Sequence, residues 1–411
     1  MGYRYPHDVG LSLKLTNIGE LVTFDSSLEM MVTHSSVEIA IENGRIAAIG
    51  TTVGDCDELL DCGGCLLTPG FVDSHTHPVF LDGRENDFAM RLGGATYEEI
   101  ATAGGGIVNS IDGVRNASES TLFSRVKSRL DTFLSLGTTT IECKSGYGLN
   151  TGSEIKSLKV LDELNNYHEI DIIITFMGAH ACPPEFSGNM DGYVDMICDE
   201  MIPAVAEQGI AKYNDVFCEN GYFNVQQSRK ILKTGKKYGL APKIHADEFE
   251  TSGAAELAAE VGAISADHLM AASNEGLRNM SEAGVIATLL PGTTFFLGKT
   301  RYAPYNRMRK IGLDISLATD YNPGSCHIQS MSFIISLACI YLHIPPLEAL
   351  KAATYTAAKS LDMHNKVGSL EIGKKADMIL WNLKEYVGIP YSIVNYPIRQ
   401  VIKSGRLVNW P

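Results

Sequence analysis

The sequence is poor in charge and has no positive surplus. Of its 411 residues 20% are charged, and 34 Lys and Arg against 48 Asp and Glu leave a formal net charge of −14. With no basic excess to displace counterions from a phosphate backbone or to seek an anionic bilayer, neither nucleic acid nor a membrane is an expected partner. Long apolar runs are also missing. The longest, from Met331 to Leu347, is interrupted by Ser, His and a Pro pair and falls short of the ~20 residues of a membrane span. The stretch after Met1 has no basic segment leading into an apolar one, so no secretory leader is expected and the cytoplasm is the expected compartment.

Other absences narrow the fold. Nine scattered cysteines, an odd number, read as free thiols and not as a disulfide framework. Cys62-Gly-Gly-Cys65 has zinc-knuckle spacing but no second pair, so it is read as a turn between strands. No Gly-x-Gly-x-x-Gly follows the first strand of the central region. Gly104-Gly105-Gly106 lacks a following Lys-Ser/Thr and reads as a flexible turn. Nothing recurs at a fixed period, which excludes a solenoid. Gly and Pro together number 54 and 45% of residues are hydrophobic, enough for a large core.

What is present is an alternation. Both ends read as short strands and turns, with Glu42-Asn43-Gly44 a type I′ hairpin signal near the start and strand-like segments at 377–381 and 401–408 near the end. Between them eight short apolar runs, at 71–75, 139–144, 172–177, 215–218, 243–247, 264–268, 285–290 and 315–319, alternate with amphipathic segments. Those at 120–136, 153–166, 193–208, 226–238, 252–261 and 274–283 are expected to be helices. Eight βα units over about 300 residues suit a closed parallel (β/α)8 barrel of the α/β class.

In such a barrel chemistry gathers at the C-terminal strand ends, and here those ends are polar. The first run ends in His75-Thr76-His77 and the third in Gly-Ala-His180. The fifth ends in His245-Ala-Asp-Glu248, the sixth in Asp267-His268 and the eighth in Asp320-Tyr-Asn322. Period-two spacing puts His75 and His77 on one side of an extended segment. With His245 and Asp320 they make an N3O donor set suited to Zn²⁺ or Fe²⁺. Glu248 is placed to reach a water beside the ion and to pass its proton to a leaving nitrogen. Its alternative is a helix N-terminal acid. His268 offers a hydrogen bond to a carbonyl or to the attacking water, while Asp267 is expected to face away from the site.

Leu67-Thr-Pro-Gly-Phe-Val-Asp-Ser-His75-Thr-His77, the later His245, His268 and Asp320, and Gly368-Ser-Leu-Glu-Ile-Gly-Lys-Lys-Ala-Asp377 together resemble the amidohydrolase superfamily. The resemblance covers essentially the whole chain. It implies that residues 67–362 form the barrel and that 1–66 with 363–411 form a composite β-sandwich, and His180 implies a single-ion site. Longer words, Glu98 to Ile107, Glu142-Cys-Lys-Ser-Gly-Tyr147-Gly-Leu, Met177-Gly-Ala-His180, Asp215-Val-Phe-Cys-Glu219, His245-Ala-Asp-Glu248 and Ala318 to Gly324, resemble the imidazolonepropionase family within it.

That closer resemblance implies hydrolysis of 4-imidazolone-5-propanoate to N-formimidoyl-L-glutamate in histidine degradation. It implies one Zn or Fe ion on His75, His77, His245 and Asp320, with Glu248, His268 and Asp320 sharing the proton transfers. Arg84, Tyr147, His180, Glu248 and Ser325 would meet the substrate, and Asn322 with Gly324 the product. For Arg84 the alternative is an ion pair with Glu85 or Asp87, for Tyr147 a core position and for Asn322-Pro-Gly a bare turn. A homodimer is the family expectation. Two other readings stand beside this one: a metal-dependent deaminase or cyclic amidase acting on a nucleobase-like ring, and a non-catalytic binding protein on the same barrel.

Overall fold

The computed structural model describes residues 12–96, 99–100, 103–393, 395 and 397–409. Met1 with the opening stretch read for a leader lies outside them, as do Glu98, Ala101 and Thr102 of one family word.

Among the described residues two eight-stranded sheets organise the fold. The first combines β1 (Leu13–Asp25), β2 (Met30–His34), β3 (Val37–Glu42), β4 (Arg45–Gly50) and β5 (Glu58–Pro69). The second starts at β6 (Phe71–Asp73) and continues through β7 (Thr138–Lys144), β8 (Asp171–Ala179), β9 (Tyr213–Cys218), β10 (Ala241–Ala246), β11 (Ser265–His268), β12 (Ile286–Leu289) and β13 (Ile315–Leu317). The chain then returns to the first sheet with β14 (Met378–Trp381), β15 (Ile398–Lys403) and β16 (Arg406–Leu407). In the first sheet β14 pairs antiparallel with β5, so the two ends of the sequence share one sheet and one apolar core that includes Leu15, Leu67 and Met378.

Local chemistry explains the turns. Asn43 and Gly44 both have positive φ, 51° and 74°, the type I′ geometry that matches the twist of the β3–β4 hairpin. Cys62-Gly-Gly-Cys65 departs from expectation. It lies within β5, where Gly63 and Gly64 at φ 64° and 65° kink the strand and the β1–β5 register shifts. It is a bulge inside one strand, not a turn between two.

The second sheet runs β6 to β13 in chain order, every neighbour parallel. All eight expected runs are strands. No ladder joins β13 to β6. The seam is closed just beyond them, where Asp320 N donates to His75 O at 3.0 Å and His77 N to Tyr321 O at 2.8 Å. Below, the Asp73 carboxylate accepts from Thr319 N (3.0 Å) and Thr319 Oγ1 (2.6 Å), and the Ser74 and Ser316 hydroxyls meet at 3.0 Å. The first and last barrel strands therefore join at the residues of the polar cluster.

Helices cover the barrel and start on side-chain caps at Ser118, Asn150, Asn224 and Ser273. The segment expected as one helix over 193–208 is in three pieces. Met190–Met196 passes through a π turn, Ile197–Met201, into Ile202–Gln208. Pro203 has no N–H for the carbonyl of Asp199, which forces the wider turn there. The apolar run from Met331 forms a helix of 11 residues, and among the described residues no helix is long and apolar enough to cross a membrane.

Candidate active site

A pocket of about 270 Å³ opens at the C-terminal end of the barrel. His77, His180, His245, Glu248, His268 and Asp320 line its floor, and Arg84, Arg91, Tyr147, Phe217 and Ser325 are in its walls. Five of the expected strand ends meet there.

The deepest residues converge tightly. The Nε2 atoms of His75 and His77 are 3.2 Å apart, those of His77 and His245 3.3 Å, and Asp320 Oδ1 is 3.5 Å from the Nε2 of both His75 and His77. Two of these imidazoles are fixed from behind. His75 Nδ1 is 2.6 Å from Asp267 Oδ2 and His245 Nδ1 is 3.1 Å from Asp215 Oδ1. A carboxylate only accepts, so each Nδ1 carries the proton and each Nε2 presents its lone pair to the centre. Burial holds His75 and His77 well below the ordinary imidazole range, and the Lys144 ammonium acts on both in the same direction. They are neutral.

Lone pairs facing one another at this distance repel unless a cation lies between them. Donors ~2.1 Å from one tetrahedral ion stand about 3.4 Å apart, which matches the 3.2–3.5 Å separations of the four pairs just given. The donor set therefore fits a metal ion. His268 is the next ring, with its nitrogen within 4.8 Å of those of His75 and His245.

Beneath the histidines is a fully buried ionic layer. Lys144 Nζ donates to Glu142 and to Asp215 Oδ2 at 2.8 Å, and Lys243 Nζ donates to the carbonyl of Ser74 at 3.1 Å. Burial alone would push Asp215 up, but His245 and Lys144 hold it well below the usual carboxylate range. Lys144 thus fixes the carboxylate that fixes His245.

Asp267 corrects an expectation. It does not face away; it holds His75. Strict alternation along β11 would point Asp267 and His268 to opposite sides, but His268 and Leu269 take φ values of 76° and 63°. This left-handed turn swings the His268 ring inward beside Asp267, so both reach the centre.

Glu248 is buried, with Oε2 3.6 Å from His268 Nε2. Its alternative role as a helix N-terminal acid is filled by Asp247, whose carboxylate accepts from Ser252 N, Ala254 N and Ala255 N at the start of Ala254–Val261. From the other side Glu219 accepts from Phe249 N at 2.8 Å. Burial, and then the charges of Asp320 and Glu219, push the Glu248 carboxyl well above the ordinary range. Burial also raises Asp320, to about 6, and Thr293 Oγ1 donates to its Oδ2 at 2.5 Å.

On the walls, His180 Nδ1 donates to Gly146 O at 2.9 Å, which leaves Nε2 as an acceptor, and burial lowers its pKa to about 4. Tyr147 is buried with its ring 5.1 Å from that of His180. Arg84 lines the pocket and also pairs with Asp87, so both readings of it hold geometrically. Asn322 shapes its own turn: Oδ1 accepts from Gly324 N and Ser325 N, and Nδ2 donates to Asp320 O. The Gly105–Gly106 turn is anchored, not loose, because Gly106 N donates to Asp87 Oδ2 at 2.9 Å. Sequence reasoning missed Asp215, Arg91 and Thr293, and named Asp87 only as an ion-pair partner for Arg84, which it is. Only Asp215 carried a signal, as a carboxylate in an otherwise apolar strand.

The profile of the Amidohydrolase family matches residues 66–408. An imidazolonepropionase from Geobacillus sp. (strain WCH70) is 47% identical, covering 96% of this chain and 97% of its own. One from Shewanella oneidensis (strain MR-1) is 42% identical at 95% and 97% coverage. Among solved structures, an atrazine chlorohydrolase from Arthrobacter aurescens TC1 complexed with zinc superposes with a TM-score of 0.72 at 17% identity, covering 96% of this chain and 94% of its own. An adenosine deaminase from Xanthomonas campestris with bound zinc gives 0.72 at 16% identity, with 97% and 92% covered. The barrel, the polar cluster at its mouth and these matches agree: the chain belongs to the amidohydrolase family, and within it to the imidazolonepropionases.

Proposed function

We propose that the protein hydrolyses 4-imidazolone-5-propanoate to N-formimidoyl-L-glutamate, the ring-opening step of histidine degradation. The observation that carries this reading is a pocket lined by His77, His245 and Asp320, with His75 converging on them from beneath, that is also lined by the Arg84 guanidinium. The first set suits hydrolysis of a cyclic amide and the second suits a carboxylate tail. The four donors would hold one Zn or Fe ion, which when bound would lower the pKa of water and polarise the ring carbonyl.

The chain's own residues do the rest. Arg84 takes the propanoate, with Ser325 at the same wall, and this sets the ring against Tyr147 and His180. Neutral His180, its Nε2 free to accept, meets a ring N–H. Glu248, buried at the pocket beside His268, removes the proton from the attacking water and returns it to the ring nitrogen as the C–N bond breaks. His268, 3.6 Å from Glu248, orients that water or the carbonyl oxygen. Asp320 shares the proton with Glu248, and the turn of Asn322 and Gly324 meets the product.

The deciding experiment supplies freshly generated 4-imidazolone-5-propanoate to the metal-loaded protein and follows the loss of ring absorbance. Steady turnover is expected, with about one Zn or Fe per chain by elemental analysis. No turnover, together with deamination of a nucleobase, would move the protein to the neighbouring deaminase reading. A homodimer in the cytoplasm completes the proposal, and light scattering of the purified protein tests its oligomeric part.

A further inference from the structure

We propose that Asp87 and Gly324 are positioning residues which present the Arg84 guanidinium end-on, and so set the length of acid tail the pocket accepts. The inference rests on the reading of Arg84 as the carboxylate anchor and goes beyond it.

Arg84 is the residue before the helix Glu85–Leu92, and its side chain is mostly buried. Its Nε donates to Asp87 Oδ2 at 2.6 Å, and the same oxygen accepts from Gly106 N at 2.9 Å. A Cβ on Gly105 would lie 2.3 Å from Asp87 Oδ1, so only glycine lets the turn come this close. Asp87 is thereby fixed before Arg84 leans on it.

The other face of the guanidinium rests on Gly324. A Cβ there would stand 2.5 Å from Arg84 Nη1 and 3.0 Å from Cζ. Gly324 is itself held, because Nη1 and Nη2 of Arg91 both lie 3.3 Å from its carbonyl oxygen. Arg91 in turn sits beside the rings of Phe88 and Phe296, at 5.8 and 5.9 Å.

A guanidinium can grip a carboxylate with two parallel bonds either side-on, through Nε and one Nη, or end-on, through both Nη. Asp87 occupies Nε, so the side-on edge is closed. Among the described residues neither Nη of Arg84 has a hydrogen-bond acceptor. A ligand carboxylate is therefore taken end-on, along the axis of the side chain, at a distance from the histidine cluster that Asp87 and Gly324 determine. Without Asp87 the guanidinium can turn, offer either edge and take acids of other lengths.

The test compares Asp87→Asn and Gly324→Ala with the parent in the metal-loaded enzyme. Three inhibitors serve as probes: imidazole-4-propanoate, imidazole-4-acetate and uncharged 4-methylimidazole. In both variants the KM for the substrate and the Ki of the propanoate probe are expected to rise together by about tenfold or more, and in Asp87→Asn, at a residue that does not meet substrate or product, kcat stays within about threefold. The Ki of 4-methylimidazole stays put, and the preference for propanoate over acetate shrinks. Unchanged KM, or weakening of all three probes alike with a fall in kcat, would overturn the proposal. Arg84→Met separates the two layers of the argument. If it leaves propanoate inhibition unchanged, the anchor reading itself fails; if it weakens that inhibition while Asp87→Asn and Gly324→Ala do not, only the positioning proposal fails.

Discussion

His75 Nδ1 and Asp267 Oδ2 are 2.6 Å apart, with both side chains fully buried. The pair fixes the tautomer and rotation of a proposed metal ligand, and Asp215 does the same for His245. Outer partners of this kind typically contribute 10- to 100-fold in metal affinity. Asp267→Asn and Asp215→Asn are therefore expected to bind Zn²⁺ about 10- to 100-fold more weakly, as read by competition with a chelator. Unchanged affinity in both variants would show that the donors hold their geometry without them.

Glu248→Gln preserves the shape of the pocket and removes the group that exchanges protons. Metal content is expected to remain at the parent level while kcat falls by about 10²- to 10⁴-fold. Near-parental turnover would take Glu248 out of the reaction.

Asp171, at the start of β8, binds Lys375 at 2.7 Å and Lys403 at 2.7 Å, and Lys403 also meets Asp377 at 2.6 Å. This cluster joins the barrel to the end sheet. Burial opposes the charge on Asp171, but Lys403 and Lys375 hold its carboxyl below the usual range. A carboxyl depressed in the folded state adds stability above its unfolded pKa of ~3.9, and that contribution is lost as pH falls through the folded-state value. Asp171→Asn should thus cost about 1–3 kcal/mol at pH 7. The gap between variant and parent should narrow in denaturation curves taken below about pH 4; a gap that widens there would contradict the assignment.

Trp381 on β14 is wholly buried, donates from Nε1 to Thr68 Oγ1 at 2.9 Å and meets the edge of Phe71 on β6. It fills the joint between the two sheets. Trp381→Ala should destabilise the protein by about 3–5 kcal/mol, measurable by urea denaturation. A loss under 1 kcal/mol would mean the joint repacks around the gap.

Much of this was legible in the sequence for physical reasons. A strand repeats every two residues, so His75-Thr-His77 announces two rings on one side, and the two Nε2 atoms do meet. Eight buried parallel strands read as eight apolar runs because both of their faces are covered. Where the backbone leaves that period, the reading fails. The left-handed residues at 268 and 269 bring Asp267 and His268 to one centre, and no local pattern signals that. Pairings across long stretches of chain were equally silent: Asp87 with Gly106 and Arg91 with Gly324, 19 and 233 residues apart, depend on how loops cross at the barrel mouth. The three-piece helix around Pro203 shows the opposite case, a local rule present in the sequence and outweighed by the apolar periodicity around it.

The seam of the barrel has a consequence for how the molecule is made. Asp73 and Thr319, whose bonds help to close it, are separated by 246 residues. Ring closure is thus a contact of very long range, costly in loop entropy and slow to reach. His75 and His77 stand on one lip of that seam and Asp320 on the other. An ion gripped by all three would act as a clasp, binding the closed ring and not the open one, so that loading the metal and completing the fold become a single linked equilibrium.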